Sequence, residues 1–311
     1  MDTKNSRLIG VPEAVMGIFI FSLTMPTMRI ALHDFDPVIV GVGRTLIAAV
    51  PSAIILLLLG SPRLNFRQIR SLAITAACLT FGFSWLVALA LRSVPSYHAG
   101  IVIGGIPLAT ALFATIKTRK SQPLLFWIAA IVGSLIVVVY GFVNGGFSIS
   151  GADLLLLIAA GVCGYGYVEG SRLSEELGTT VLTCWVPIIS APLAIYLCWG
   201  KLPADLGAVH LGSWLALFYN GLFSVFIGFL FWYRGLARGG LARIGQIQLV
   251  QPFFTLAASA LLLHEVLSLF DWLTAGAVVA CIAVTQAVSS RSRKNAAATA
   301  DGKLVAPAKA S

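Results

Sequence analysis

The residues of this chain that could bind a small solute lie inside long apolar stretches, where polar groups are costly to bury. Gln248 and Gln251 share one such stretch, and their spacing of three places both amides near one face of a helix. Uncharged amides can both donate and accept hydrogen bonds. We therefore expect Gln251, supported by Gln248, to contact a bound solute, and an interhelical hydrogen bond is the structural alternative.

A second apolar stretch carries a carboxylate that could bind an amine or a proton. Glu169 follows Tyr165 near the end of that stretch, and Arg172 comes three residues later. The spacing of three also allows a local ion pair on one helix face. Glu169 and Tyr165 are thus candidate binding residues, with the Glu169–Arg172 pair as the alternative.

Arg44 lies about two helical turns inside a third apolar stretch. It could extend towards the interface, pair with Asp34 or Asp36, or bind an anionic group. Aromatic side chains could form the walls of a cavity, and Trp85 stands out among them because it lies deep within its stretch. Arg44 and Trp85 complete the predicted binding residues.

Two prolines occupy the middle of apolar stretches, at Pro107 and Pro252. A proline inside a helix frees a backbone carbonyl and bends the helix. Freed carbonyls near the centre of a membrane can line a binding site. Both prolines are therefore candidate hinges, and a kink tolerated for packing is the alternative.

The stretches that carry these residues are typical of a membrane protein. The 311-residue chain is 58% hydrophobic and 11% charged, whereas soluble proteins average about 25% charged residues. A membrane-crossing helix needs roughly 20 apolar residues. The sequence predicts an all-α membrane protein with ten spans: 10–32, 37–59, 69–91, 96–116, 123–143, 152–171, 180–199, 212–233, 241–262 and 268–289.

The distribution of basic residues predicts the orientation. With the N-terminus inside the cell, the inner segments carry 17 of the 21 lysines and arginines, as the positive-inside rule requires. Both termini are then cytoplasmic, in an inner or plasma membrane. Topology accounts for the net charge of +9 without nucleic acid. Residues 290–311 are alanine-rich and polar, and predict a disordered cytoplasmic tail.

The two halves of the chain resemble each other at an offset of about 145 residues. Pro107 and Pro252 match at this offset, and Leu124-Leu125-Phe126-Trp127 matches Leu269-Phe270-Asp271-Trp272. Five spans per half is an odd number, so the second half enters the membrane from the opposite side. We predict two inverted five-helix repeats, 1–145 and 146–289, an architecture typical of secondary transporters.

Several segments then resemble the EamA family of the drug/metabolite transporter superfamily. They include the stretch 214–222, the stretch 231–237, Gln251-Pro252-Phe253-Phe254, and His264-Glu265-Val266-Leu267-Ser268. The first half is similar through the stretch 43–49. The resemblance implies ten helices around a central cavity and export of amino acids or other metabolites. The acid that usually precedes the second proline is replaced by Gln251, which puts proton coupling there in doubt.

The leading hypothesis is a secondary carrier of small metabolites that uses alternating access, with export favoured. A channel or a non-transporting receptor is the first alternative, and a membrane-embedded enzyme is the least favoured. Nucleotide-binding loops are not evident, and no cofactor is expected. No metal site is expected either, because the four histidines do not cluster in sequence. The expected partners are a small-molecule substrate and the lipid bilayer, and a homodimer is left open.

Overall fold

The computed structural model describes residues 10–60, 63–118, 123–144, 150–239 and 250–304, and these are helical apart from their connections. The first half contains α1 (Val11–Ser22), α2 (Thr24–Ala31), α3 (Arg44–Leu59), α4 (Phe66–Ala76), α5 (Trp85–Ala90), α6 (Ser96–Ile103), α7 (Ile106–Thr118) and α8 (Leu124–Asn144). The second half contains α9 (Gly151–Leu177), α10 (Thr179–Cys198), α11 (Leu211–Phe218), α12 (Phe229–Gly239), α13 (Gln251–Leu263) and α14 (Leu269–Leu304). Three π-helical segments, Ile39–Gly43, Ala77–Ser84 and Tyr219–Gly228, continue into α3, α5 and α12 respectively.

Eight helical stretches of the described residues are long and apolar enough to cross a membrane. They are Val11–Ala31, Ile39–Leu59, Phe66–Ala90, Ser96–Lys117, Leu124–Asn144, Gly151–Leu177, Thr179–Cys198 and Leu211–Gly235. They correspond to the first eight predicted spans. Two shorter apolar helices, Gln251–Leu263 and Leu269–Thr285, fall within the last two. The all-α membrane class is confirmed, and the count of ten spans stays a prediction.

Local sequence signals explain where several helices begin. Asn65 caps α4, accepting from the Gln68 backbone while the Gln68 side chain accepts from the Asn65 backbone. Ser150 and Asp153 form the same reciprocal box at the start of α9. Each box satisfies backbone N–H groups that a helix start leaves without partners. The caps therefore fix the residues at which α4 and α9 begin.

The last helix is longer than the sequence predicts. α14 continues to Leu304, so residues 290–304 are helical where a disordered tail is expected, and the remainder of the tail lies outside the described residues. The physical reason is helix propensity, because Ala296–Ala298 and Ala300 are the strongest helix formers. The polarity of this segment argued against a packed core, but it does not prevent a solvated helix.

Glycines allow close approach at helix crossings. A Cβ atom added at Gly41 would lie 2.7 Å from Trp85 Cα, and one at Gly221 would lie 2.7 Å from the carbonyl oxygen of Arg44. Backbones in such contact pack more closely than larger side chains permit, which is how membrane helices associate without a hydrophobic driving force. These crossings fix the helices that surround the centre of the bundle.

Polar contacts define two ends of the bundle, which we name after one residue each. At the Asp34 end, His210 contacts Asp34, His98 contacts Asp153, and Tyr140 contacts Asp271. At the Glu169 end, the contacts include Lys117 with Glu169, Arg67 with Glu176, and Arg238 with Glu13. Residues predicted to share a side of the membrane therefore contact one another, which supports the predicted alternation of the spans.

Candidate functional site

A cavity lies at the centre of the bundle. Its empty volume is about 1320 Å³, including the space at its mouth, and residues of both halves line it. Many of its walls are apolar or aromatic, as at Phe21, Phe83 and Phe229. Hydroxyl groups interrupt them, and Thr24 and Ser224 of opposite halves are joined by a 2.8 Å hydrogen bond. An apolar cavity with a few convergent polar groups is typical of a small-molecule site.

Arg44 is the only charged residue among the described residues that line this cavity. Its side chain is 4% exposed. Nη1 donates to Asn220 Oδ1 at 3.2 Å and Nη2 donates to Ser84 Oγ at 2.6 Å. Its Nε is buried without a hydrogen-bond partner in the described part of the chain. The guanidinium thus retains donor capacity that no acceptor among the described residues uses.

The alternatives for Arg44 that rest on local acids are not realised. Asp34 contacts His33 and His210, and Asp36 Oδ1 accepts from the Val38 backbone at 2.8 Å. Neither acid forms an ion pair with Arg44. A buried cation without a counter-ion is unfavourable. An anionic group entering the cavity would supply the missing charge.

One helical stretch bends beside the cavity. The stretch Ser96–Lys117 is long enough to cross a membrane, and it turns at Gly104 and Gly105 before α7 continues from Ile106. The backbone at this bend is largely paired, because the Gly104 amide donates to Gly100 and the Leu108 amide donates to Gly105. On the opposite side of the cavity, α13 is described from Gln251 onwards.

Both prolines lie beside the cavity and line it. Pro107 follows the bend at Gly104 and Gly105 within the stretch Ser96–Lys117. A proline inside a helix removes one hydrogen bond and bends the helix, so the bend at Pro107 is consistent with the predicted hinge. Gly104 contributes to the close fit, since a Cβ added there would lie 3.3 Å from Pro252 Cγ.

The structure brings four of the eight predicted site residues to the cavity: Arg44, Pro107, Gln251 and Pro252. The Gln251 carbonyl accepts from Ser22 Oγ at 3.4 Å, which joins α13 to α1. Gln248 lies outside the described residues. Trp85, Tyr165 and Glu169 are described and are not among the lining residues.

Those three residues have other neighbours. Trp85 packs against the main apolar core, and its indole nitrogen is buried without a partner among the described residues. Tyr165 is 37% exposed and stacks edge-on with Phe113. Glu169 forms an ion pair with Lys117 and accepts from Ser71 Oγ at 3.1 Å. Glu169 therefore pairs with Lys117 instead of Arg172, and its contacts join α9 to α7 and α4.

Several lining residues are absent from the sequence-based set, among them Ser84, Thr80, Tyr167 and Tyr233. Ser84 and Thr80 lie in the π-helical segment Ala77–Ser84. A π-helix has more residues per turn than an α-helix, so the α-helical spacing does not identify which of its side chains face the cavity. Tyr167, two positions after the predicted Tyr165, lines the cavity in its place. Cys163 also lines the cavity and is four residues from Tyr167, so the (i, i+4) spacing identifies the correct face.

The four histidines are far apart in sequence, but two of them lie close together in the folded chain. His33 and His210 are brought together on either side of Asp34 at the Asp34 end. At the same end of the bundle, His98 Nε2 contacts Asp153 Oδ1 at 2.6 Å, and the Tyr140 hydroxyl donates to Asp271 at 2.7 Å. Ser96 and Tyr97 donate to Glu265 from the first turn of α6. These contacts join the two halves across this end.

Comparisons with known proteins agree with this architecture. The model of the EamA-like transporter family matches residues 8–142 and, a second time, residues 150–286. The two matches divide the chain close to the boundary that the internal repeat predicts. One solved crystal structure has a TM-score of 0.63 at 19% identity, covering 93% of this chain and 99% of that one. It shares the fold.

Curated relatives cover nearly the whole chain. An uncharacterized transporter of Bacillus subtilis, YdeK, is 39% identical over 282 residues, which is 91% of this chain and 98% of that protein. The uncharacterized inner membrane transporter YedA of Escherichia coli K12 is 25% identical, covering 88% of this chain and 89% of its own length. A protein of Salmonella typhimurium named a probable amino-acid metabolite efflux pump is 22% identical, covering 82% and 87%.

Proposed function

Because the chain belongs to the EamA-like transporter family, we propose that it is a secondary carrier that exports small carboxylate-bearing metabolites by alternating access. Its ten spans form two inverted repeats, both termini face the cytoplasm, and the Asp34 end faces outwards. The substrate binds in the central cavity between the two halves.

The single observation that carries the proposal is the cavity with Arg44 as its one charged lining residue in the described chain. Residues of both family-matched segments line the cavity. Pro107 and Pro252, which occupy equivalent positions of the predicted repeat, both line it. The π-helical segments Ala77–Ser84 and Tyr219–Gly228 are also nearly equivalent. Interrupted helices at matching positions are the usual sites of substrate binding in inverted-repeat carriers.

The direction of access follows from the packing. Towards the Asp34 end, residues such as Ala31, Val87, Ala90, Leu91 and Ala99 are fully buried. The lining residues include Thr75, Thr183 and Tyr233, which lie in the halves of their spans nearest the Glu169 end. This arrangement suits a state closed to the outside and approached from the cytoplasm. Opening the Asp34 end would complete the transport cycle.

The chemistry of the cavity suggests the substrate class. Arg44 offers a planar set of donors that fits a carboxylate. No aspartate or glutamate is among the described lining residues, so the cavity offers an amine only uncharged acceptors such as Gln251. A metabolite with one carboxylate and an apolar body fits best. The amino-acid metabolite named for the Salmonella relative is compatible with that class.

The other predicted residues take supporting roles in this proposal. Gln251 contacts the substrate, and Pro107 and Pro252 act as hinges. Glu169 and Lys117 hold α9 against α7 at the Glu169 end, so their ion pair is a candidate inner gate. Trp85 positions the helix that carries Ser84, and Tyr165 stays outside the binding site.

Reconstitution into liposomes tests the proposal. Vesicles would be loaded with radiolabelled amino acids or with monocarboxylates, and efflux would be compared with that from protein-free vesicles. A carrier gives saturable flux and counterflow, in which unlabelled substrate on one side drives labelled substrate from the other. Flux that rises linearly with concentration would favour a channel, and absence of flux for every pool would contradict the proposal.

A further inference from the structure

Two histidines and an aspartate meet at the surface of the Asp34 end, outside the central cavity. His33 and Asp34 follow α2, and His210 precedes α11. His33 Nδ1 lies 2.9 Å from Asp34 Oδ1, and His210 Nδ1 lies 3.0 Å from Asp34 Oδ2. The candidate ligand atoms of the three residues all fall within 4.8 Å of one another. The imidazoles are 69% and 68% exposed, so an ion could reach them from solvent.

The backbone around this cluster is fixed. The His210 amide donates to Asp34 Oδ2 at 3.0 Å, and Ser213 Oγ donates to the Ile30 carbonyl at 3.2 Å. Phe35 and Trp214 stack edge to face beneath it, with ring centroids 4.9 Å apart. The carboxylate of Asp34 is thus placed between the two rings.

We propose that His33, Asp34 and His210 form a binding site for a transition-metal dication of the zinc type. Two imidazole nitrogens and one carboxylate oxygen, with water in a fourth position, match the preference of Zn²⁺, Co²⁺ or Ni²⁺. Ligand atoms about 2.0–2.1 Å from a tetrahedral metal are separated by roughly 3.3 Å. The separations of 2.9 and 3.0 Å are slightly shorter but involve different oxygens of Asp34, and the candidate ligand atoms lie within 4.8 Å of one another, so the exposed rings must rotate to bring both nitrogens to one ion. Ca²⁺ and Mg²⁺, which prefer a full oxygen shell, fit poorly.

The site joins the two halves of the carrier. His33 and Asp34 belong to the first family-matched segment and His210 to the second. A bound metal ties them together in the state that is closed at the Asp34 end. A ligand that binds one conformation more tightly shifts the population towards it. The metal therefore inhibits transport, and this consequence rests on the proposed alternating access, whereas metal binding itself does not.

Zinc titration of the full-length protein in detergent tests the binding. Isothermal calorimetry should give one saturable site in the wild type, and His33→Ala or His210→Ala should each weaken it at least tenfold. His264→Asn is the matched control, because His264 is an exposed histidine at the same end that is not in the cluster. With Co²⁺ as the probe, the wild type should show the visible absorption of tetrahedral cobalt. Absence of saturable binding, or wild-type affinity in both histidine variants, overturns the site.

A transport assay tests the bridging role separately. Zn²⁺ added on the Asp34 side of proteoliposomes should slow substrate counterflow, and EDTA should reverse the effect. His210→Ala should transport normally and lose the inhibition, while His264→Asn should retain it. Binding without inhibition overturns the bridging role but leaves the site intact. If no substrate is transported, the calorimetry still decides the metal site, so the two proposals fail independently.

Discussion

Replacing Arg44 by glutamine is the sharpest test of the proposed substrate class. Glutamine removes the charge while keeping an amide that can bond Asn220 and Ser84, the present partners of the guanidinium. A bound carboxylate would lose two charge-assisted hydrogen bonds, each contributing roughly 1.5–3 kcal/mol. The total of roughly 3–6 kcal/mol corresponds to about a hundredfold to ten-thousandfold weaker binding. Because the cavity opens to water in part of the cycle, we expect the lower value.

The assay compares a transported carboxylate with its primary-amide isostere, using competition for counterflow. Wild-type protein should prefer the carboxylate by about a hundredfold, and Arg44→Gln should bind the two equally. Arg44→Lys keeps the charge but not the planar donor set, so it should retain part of the preference. Arg92→Gln is the control, since Arg92 is exposed at the Asp34 end. An Arg44→Gln protein that folds and still discriminates the carboxylate would refute the reasoning.

Three further predictions follow from other contacts. Gln251→Ala should raise the substrate concentration for half-maximal transport without lowering expression. A loss of transport that matches a loss of protein in expression blots would indicate a packing role. Gly100→Ala should lower the melting temperature in detergent, because its Cβ would lie 2.6 Å from Thr255 Cγ2 and overpacking costs about 1–3 kcal/mol. Gly161→Ala is the control, since a Cβ added there has nothing within 4 Å. Equal melting temperatures for the two variants would contradict the contact. Asp153→Ala should destabilise the protein by about 3–5 kcal/mol, because it leaves His98 buried without its partner. An unchanged unfolding midpoint in denaturant would show that the pair contributes little.

Much of the fold could be predicted because apolar length and charge alternation dominate in a membrane. The first eight predicted spans correspond to the eight helical stretches long enough to cross, with boundaries that differ by a few residues. The signals are strong since every backbone group in lipid must be satisfied within a helix. The tail is the exception, because its polarity predicted disorder while its alanines form the end of α14.

The site was predictable only where a residue is unusual for its position. Arg44, Gln251 and the two prolines stood out against apolar surroundings, and all of them line the cavity. Glu169 stood out for the same reason, but its partner Lys117 is 52 positions away in sequence, and no local pattern reveals that pairing. Contacts of this kind arise from how helices pack, so composition and periodicity do not carry them.

Spatial clusters of ordinary surface residues were also beyond the sequence. Asp34 and His210 lie 176 positions apart and meet only because α2 and α11 pack together. Ser84 and Asn220, which hold Arg44, come from two π-helical segments of different halves. The sequence marks Arg44 as unusual for its position, and only the folded chain shows that Asn220 and Ser84 contact it.

The π-helical segments also divide each of their helices into two registers. A π turn contains one residue more than an α turn, so the side chains beyond it are rotated by about 100° relative to an uninterrupted helix. Ser84 ends the segment Ala77–Ser84, and its hydroxyl meets Arg44 in this shifted register. Deleting one residue from the segment would leave a regular membrane helix of nearly the same length, but its polar face would turn away from the guanidinium. A single extra residue thus separates a helix that merely spans the bilayer from one that contributes to the binding site.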